Sequence, residues 1–310
     1  MSEELKLKNP WLVTVWPGIG NVAISAGYYL MAKLGMHLLA EFSAQELFDV
    51  EQVEVKDGLI QPGRLPRSRF FVWNDPREQH DLIVFIGEAQ PPMGKYTFCE
   101  RLIEFAKTLG VERVYTFAAL VTQMNPAHHR SRVFVAATDA ECLGELKRLG
   151  LETIENGQIG GLEGVLLGVA VANGMRGACL MGEMPHVLAQ LPSPKASLAI
   201  LEAFGTMADL HVDYSELSEQ VRNMEQKLGE FLEQMQRSID PEMAADESSN
   251  TDESVEDEGP GRDGRRRIEK LFAQAEEDRA TAYELKRELD KLGVFREYEN
   301  RFLDLFKKRE

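Results

Sequence analysis

The stretch Ile154–Pro194 reads IENGQIGGLEGVLLGVAVANGMRGACLMGEMPHVLAQLPSP, and the way it divides decides the fold. Gly157, Gly160 and Gly161 open it with a turn, because glycine reaches positive φ at no steric cost. An apolar helix is expected from Leu162 to Asn173, a second turn at Gly174, and a short buried strand from Gly177 to Met181 that ends in Gly182-Glu183. A strand that terminates in a polar turn is where open α/β sheets place ligands or partners.

The same grammar runs upstream. Trp11 to Val15 reads as a buried strand, and Pro17-Gly18-Ile19-Gly20-Asn21-Val22-Ala23 turns it into an apolar segment that ends at Gly35. Gly18-x-Gly20-x-x-Ala23, with Glu41 downstream, satisfies a loose dinucleotide fingerprint. Pro17 stands between strand and turn, so a plain strand-to-helix connection is the preferred reading. Leu38 to Phe42 reads as a strand, and Glu51 to Val55 and Arg69 to Trp73 flank a Gly/Pro-rich excursion at one edge of a sheet. The run DLIVFI, Asp81 to Ile86, has the continuous apolar character of a strand covered on both faces. Gly87-Glu88-Ala89-Gln90 follows it, and Phe98, Leu102, Phe105 and Leu109 recur at helical spacing. Arg113 to Ala119 and Val133 to Ala137 read as strands, and Asp139 as the cap of a helix from Ala140 to Leu149. Between them His128-His129 lie in a polar loop with no third residue spaced for a metal. Alternation of this kind predicts a three-layer α/β/α domain on a largely parallel central sheet over residues 1–210.

Composition narrows the function classes. The chain has 310 residues and a formal net charge of −16, which argues against nucleic acid as a partner, since phosphate contacts need a basic face. Cys99, Cys142 and Cys179 are scattered and read as structural thiols of a reducing compartment. MSEELKLKNP places charges where a signal peptide is apolar, and the apolar runs are too short to span a bilayer. A cytoplasmic protein away from membranes is expected.

From Ser193 the pattern changes. An amphipathic helix is expected over 211–239, with Leu217, Val221, Met224, Leu228, Leu232 and Met235 in a narrow stripe suited to coiled-coil pairing. Residues 240–264 are rich in Asp, Glu and Ser and read as a disordered acidic linker. A final amphipathic helix is expected over 265–310, with Ile268, Leu271, Phe272, Leu285, Leu289 and Phe295 on one stripe. The two stripes are suited to pair with each other or with helices of another chain.

Four blocks together resemble the PAC2 family, named for proteasome assembly chaperone 2: Trp16–Ala23, Ile86–Pro91, Gly160–Leu167 and Gly177–Glu183. The resemblance covers Leu12 to Ala208. It implies an α/β/α domain of the nucleoside phosphorylase/hydrolase type, assembly into homo-oligomers, and protein binding in place of catalysis. Two features depart from it. Chaperones of this kind often end in a hydrophobic-Tyr-any residue tail where this chain ends Lys307-Lys308-Arg309-Glu310, and Ser193–Ser197 stands where relatives carry a more acidic segment.

The expected function is therefore a non-enzymatic interaction or assembly-chaperone-like protein that binds protein partners and itself, with no cofactor, metal or catalytic residue assigned. No Gly-x-Ser-x-Gly elbow, Walker loop or His-Glu-x-x-His is present in the sequence. The alternative is a small-molecule binder or phosphorylase/hydrolase-like enzyme that uses a strand-end cleft. Its candidate residues are Gly20, Asn21, Glu88, Gly160, Gly161, Glu163 and Glu183. They follow glycine turns or close strands, where carboxylates and backbone N–H groups converge. Taken singly, Glu163 reads as a first-turn anion favoured by the helix dipole, and Glu88 and Glu183 as hydrogen-bonded turn residues.

Overall fold

The computed structural model describes residues 7–50, 53, 55–56, 58–125, 130–239 and 262–307, with only the backbone described for 231–239 and 262. The loop pair His128-His129, and the acidic stretch up to residue 261, lie outside the described residues.

Ten strands and nine helices are formed by the described residues. In chain order they are β1 (Trp11–Val15), α1 (Val22–Lys33), β2 (His37–Phe42), β3 (Val55–Lys56), β4 (Leu59–Ile60), β5 (Ser68–Trp73) and β6 (Leu82–Gly87). Next come α2 (Lys95–Thr108), β7 (Arg113–Thr122), β8 (Val133–Ala137), α3 (Ala140–Arg148), β9 (Glu152–Thr153), α4 (Gly161–Ala172), β10 (Arg176–Pro185) and α5 (Pro194–Met207). The C-terminal part holds α6 (Ser215–Ile239), α7 (Arg262–Glu277), α8 (Ala282–Lys291) and α9 (Phe295–Asp304).

Eight strands form one mixed sheet in the order β2-β5-β6-β1-β7-β10-β8-β9. β6, β1, β7 and β10 run parallel at its centre, in registers such as Val13↔Val84 and Cys179↔Thr116. The flanks bring in antiparallel pairings, β5 with β6, β2 with β5, and β8 with β10. β3 and β4 form a separate two-stranded hairpin inside the expected excursion.

Helices cover both faces. α2 and α4 close one face over Leu12, Trp16, Phe85 and Val114. On the other, α1 and α5 lie over Val13, Val15, Ile86 and Phe117. α1 approaches the sheet closely: a Cβ on Gly27 would stand 2.4 Å from Val15 Cγ2. Asp139 caps α3 as its sequence position suggests, accepting the Cys142 N–H at 2.8 Å.

The C-terminal stretch differs from the single helix read in the sequence. It folds as α7, α8 and α9, broken where Asp278 accepts the Ala280 N–H and where Gly293 adopts φ +68°. These helices do not stand apart from the domain. Phe272, Leu285, Leu289, Phe302 and Phe306 are buried in the same core as α1 and α5. Tyr28 meets Phe295 and Phe302 edge-on at 5.3 and 5.7 Å. At the outer edge of β2 the Leu38 N–H donates to the Phe306 carbonyl at 2.6 Å, so the chain's own tail occupies part of an open sheet edge. α6 joins the same layer, with Leu217 buried and Gln220 accepting from the Tyr283 hydroxyl at 2.9 Å.

A fully buried phenylalanine at this seam costs about 3–5 kcal/mol when truncated to alanine. Phe302→Ala, whose ring also meets Phe295 at 5.5 Å and Phe306 at 5.7 Å, is expected to fall in that range. Urea unfolding of the full chain checks this. A loss near zero would mean that α9 contributes little to the fold.

Candidate functional site

The parallel strands β1, β6, β7 and β10 end at one edge of the sheet, and the candidate residues lie on the loops and helix starts there or, for Glu183, near the end of β10 itself. The structure separates these residues into four places.

Glu163 sits in the first turn of α4 and is only 8% exposed. Gln90, on the loop after β6, reaches across to it: its Nε2 donates to both carboxylate oxygens at 3.3 Å, while its Oε1 accepts the Leu162 N–H at 3.2 Å. Gly161 makes this possible. Its φ is +71°, and a Cβ there would stand 2.4 Å from Glu163 Oε2. Burial raises the Glu163 carboxyl above the usual glutamate range, and the Gln90 amide offsets only part of that.

Glu183, near the end of β10, is 1% exposed and fully engaged. Arg132 clamps it with Nε to Oε2 at 2.8 Å and Nη2 to Oε1 at 2.7 Å, a bidentate pair. The Thr122 hydroxyl donates to Oε1 at 2.7 Å. Arg132 holds this carboxyl below the usual range despite its burial.

Glu88 faces the C-terminal helices. Arg69 donates to it at 3.0 Å, Arg64 at 2.5 Å and the Arg67 backbone N–H at 3.0 Å. α9 closes the cluster. Arg64 also pairs with Glu299, Tyr28 donates to Glu299 at 3.1 Å, and Asn300 accepts from Arg67 and Arg69 at 3.2 and 2.8 Å. Burial, then the neighbouring Glu88 carboxylate, raises the Glu299 carboxyl.

Gly20 and Asn21 form the turn before α1, with φ of +59° and +49°. Together with Gly18, Ile19 and Ala189–Pro192 they line an open recess of about 300 Å³. No carboxylate lines it. The dinucleotide fingerprint is not realised: Glu41 lies on β2, separated from β1 by β5 and β6, and pairs with Arg67. A ribose-binding acid would have to sit on the strand beside β1.

The glycines of the turn before α4 are not where backbone approaches most closely. The tight positions are Gly164, where a Cβ would meet the Ile159 carbonyl oxygen at 1.9 Å, and Gly177, where it would meet that of Val114 at 1.8 Å. Gly160 has open space around it. Gly87 was also unread as a packing position: a Cβ there would stand 2.3 Å from the Trp16 indole nitrogen.

Among the described residues, no group of three or more His, Cys, Asp or Glu converges to hold a metal ion. All three cysteines are free and buried. Burial pushes the Cys99 and Cys179 thiols up to about 12 and Cys142 to about 11, which suppresses the reactive thiolate. No described helix is long and apolar enough to cross a membrane.

Residues 12–232 match the PAC2 family, so α7, α8 and α9 lie beyond the matched region. The protein MJ1210 of Methanocaldococcus jannaschii is 30% identical over 242 residues, 74% of this chain and 86% of the relative. Among solved structures, PbaB of Pyrococcus furiosus, an archaeal proteasome activator, is 26% identical and superposes with a TM-score of 0.63, covering 74% of this chain and 96% of its own. The proteasome-assembly chaperone homologue Rv2125 of Mycobacterium tuberculosis shares the fold at 23% identity and a TM-score of 0.63, over 76% of this chain and 98% of its own.

The two buried strand-end glutamates predict opposite pH behaviour. A lowered folded pKa makes the Glu183 contribution present above the unfolded value, about 4.3, and lost as pH falls through the folded value. Glu183→Gln should therefore flatten the acid limb of stability. A raised folded pKa makes the Glu163 contribution present in acid and lost as pH rises through the folded value. Glu163→Gln should be no less stable than the parent at neutral pH. Urea unfolding across pH measures both, and parallel profiles for the two variants would contradict the assignment.

Proposed function

Because this chain belongs to the PAC2 family, we propose that it works as an assembly-chaperone-like protein that binds protein partners and associates with copies of itself. The observation that carries this reading is the state of the strand-end carboxylates. Glu163 is held by Gln90, Glu183 by Arg132 and Thr122, and Glu88 by Arg64, Arg67 and Arg69. A general acid or base must have an oxygen free to meet substrate at about 2.6–3.2 Å. Each of these would have to surrender bonds that its burial requires.

Its structural neighbour PbaB, described as an archaeal proteasome activator, supports a partner that is itself a protein assembly. In this reading α1–α5 and their sheet, within residues 1–210, are the part that acts as the PAC2-type domain. α6 continues from that domain, and α7, α8 and α9 pack against it.

The recess beside Gly20 and Asn21 keeps small-molecule binding as the reading to be tested against this one. The full chain is expected to enter a stoichiometric complex with a protein from its own cells, seen by native mass spectrometry after capture. Calorimetric titration with adenosine, inosine and ATP is expected to give no saturable heat. Saturable binding that is abolished by Glu163→Ala or Glu183→Ala would overturn the proposal.

A further inference from the structure

The excursion after β2 carries apolar side chains that the domain does not cover. Among the described residues, seven of the twelve large apolar side chains that stand exposed fall within residues 50–60 and 93–96. Val55 is 63% exposed, Leu59 68% and Ile60 73%, and β3 and β4 set Val55 directly across from Ile60. The hairpin pairs with no other strand among the described residues, so each of its strands keeps an unpaired edge. Two strands with an uncovered apolar face are marginal by themselves. The base of the excursion is held to α2. Phe48 meets Phe98 edge-on at 6.0 Å, Arg101 pairs with Glu46, and a Cβ on Gly94 would stand 3.1 Å from Leu47 Cδ2. The same contacts bring exposed Met93 and Tyr96 to that base.

We propose that this hairpin docks an extended apolar segment of a partner protein that carries Lys or Arg, added as a third strand with its apolar side chains over Val55 and Ile60. The inference rests on the protein-binding part of the proposed function and adds the surface and the partner's chemistry.

Each property of the partner answers a property of the hairpin. Extension answers the open edges, where the backbone groups of an added strand find partners. Apolar character answers Val55 and Ile60. Positive charge answers the surrounding sequence, since residues 41–60 hold six acidic side chains and one basic one, Lys56. Glu41 and Glu46 already pair with Arg67 and Arg101, and Asp49 is exposed. Lys56 lies across from Leu59, on the other face of the ladder from Val55 and Ile60. Complementary charge selects a basic partner and speeds its encounter. A second copy of this chain, at −16, has the wrong sign.

The test is fluorescence anisotropy of the full chain with three short synthetic peptides: alternating lysine and valine, alternating glutamate and valine, and alternating lysine and serine. The lysine and valine peptide is expected to bind saturably, and to weaken as NaCl rises from about 0.05 to about 0.5 M because the acidic groups are exposed. The other two should bind at least about tenfold more weakly, a difference of about 1.4 kcal/mol. Val55→Thr combined with Ile60→Thr keeps strand-forming residues and should cost the same factor. Val171→Thr, exposed on α4, should cost nothing. Circular dichroism and thermal melting establish that the variants fold. Equal binding of the lysine and serine peptide, no binding of any peptide, or binding unchanged in the double variant overturns the inference. Capture from the cell separates it from the reading it rests on. A partner complex that persists in the double variant overturns this surface alone, and the absence of any complex with the parent chain overturns both.

Discussion

A carboxylate taken out of water must find donors inside the protein or give up its charge, and this requirement governs the strand ends of the sheet. Glu183 solves it with a bidentate arginine and a threonine hydroxyl. Glu88 solves it with three arginines, all of which reach on to α9. Glu163 solves it least completely, with its own backbone N–H and one glutamine amide, and its carboxyl is the one of these three that burial raises. The glycines around these groups follow from the same demand, since Gly161 leaves the space into which the Glu163 carboxylate folds back. In the structure each of these carboxylates is fastened by partners within the chain.

The fastener at Glu88 has the longest reach. It ties the end of β6 and the start of β5 to Glu299 and Asn300, far along the chain and outside the region that matches the family. Around it the seam is apolar and aromatic, with Tyr28 enclosed by Phe295, Phe302 and the Lys286 ammonium, which stands 5.0 Å from the Tyr28 ring and 3.9 Å from that of Phe295. The C-terminal helices are therefore one layer of the domain, and the stripe on α7–α9 is spent within the chain.

Much of this was legible in the sequence. The apolar runs at Trp11–Val15 and Leu82–Gly87 gave parallel central strands because strands covered on both faces have no need of alternation. The α/β class and the helical C-terminus followed from the same patterns. The antiparallel flanks were not readable, since pairing direction is set by contacts far apart in sequence. The docking of α8 and α9 had one unread signal: Val22–Ala32 carries no charged residue, and a helix apolar on all sides must be covered on all sides. At the site, glycine spacing located the turns but could not say which carboxylate would face which arginine. Arg132 and Glu183, like Arg69 and Asn300, meet only through the fold.

The central claim is that the strand-end glutamates are consumed by internal partners, and their individual titration tests it most directly. Carbon-13 NMR of the full chain labelled at the glutamate carboxyl, with Glu163→Gln and Glu183→Gln used to assign the signals, follows each group separately. The account predicts one midpoint above the ordinary glutamate value, at Glu163, and one below it, at Glu183. Two midpoints together at about 4.3, the value of a solvated glutamate, would contradict it and return these carboxylates to the list of groups available for a ligand.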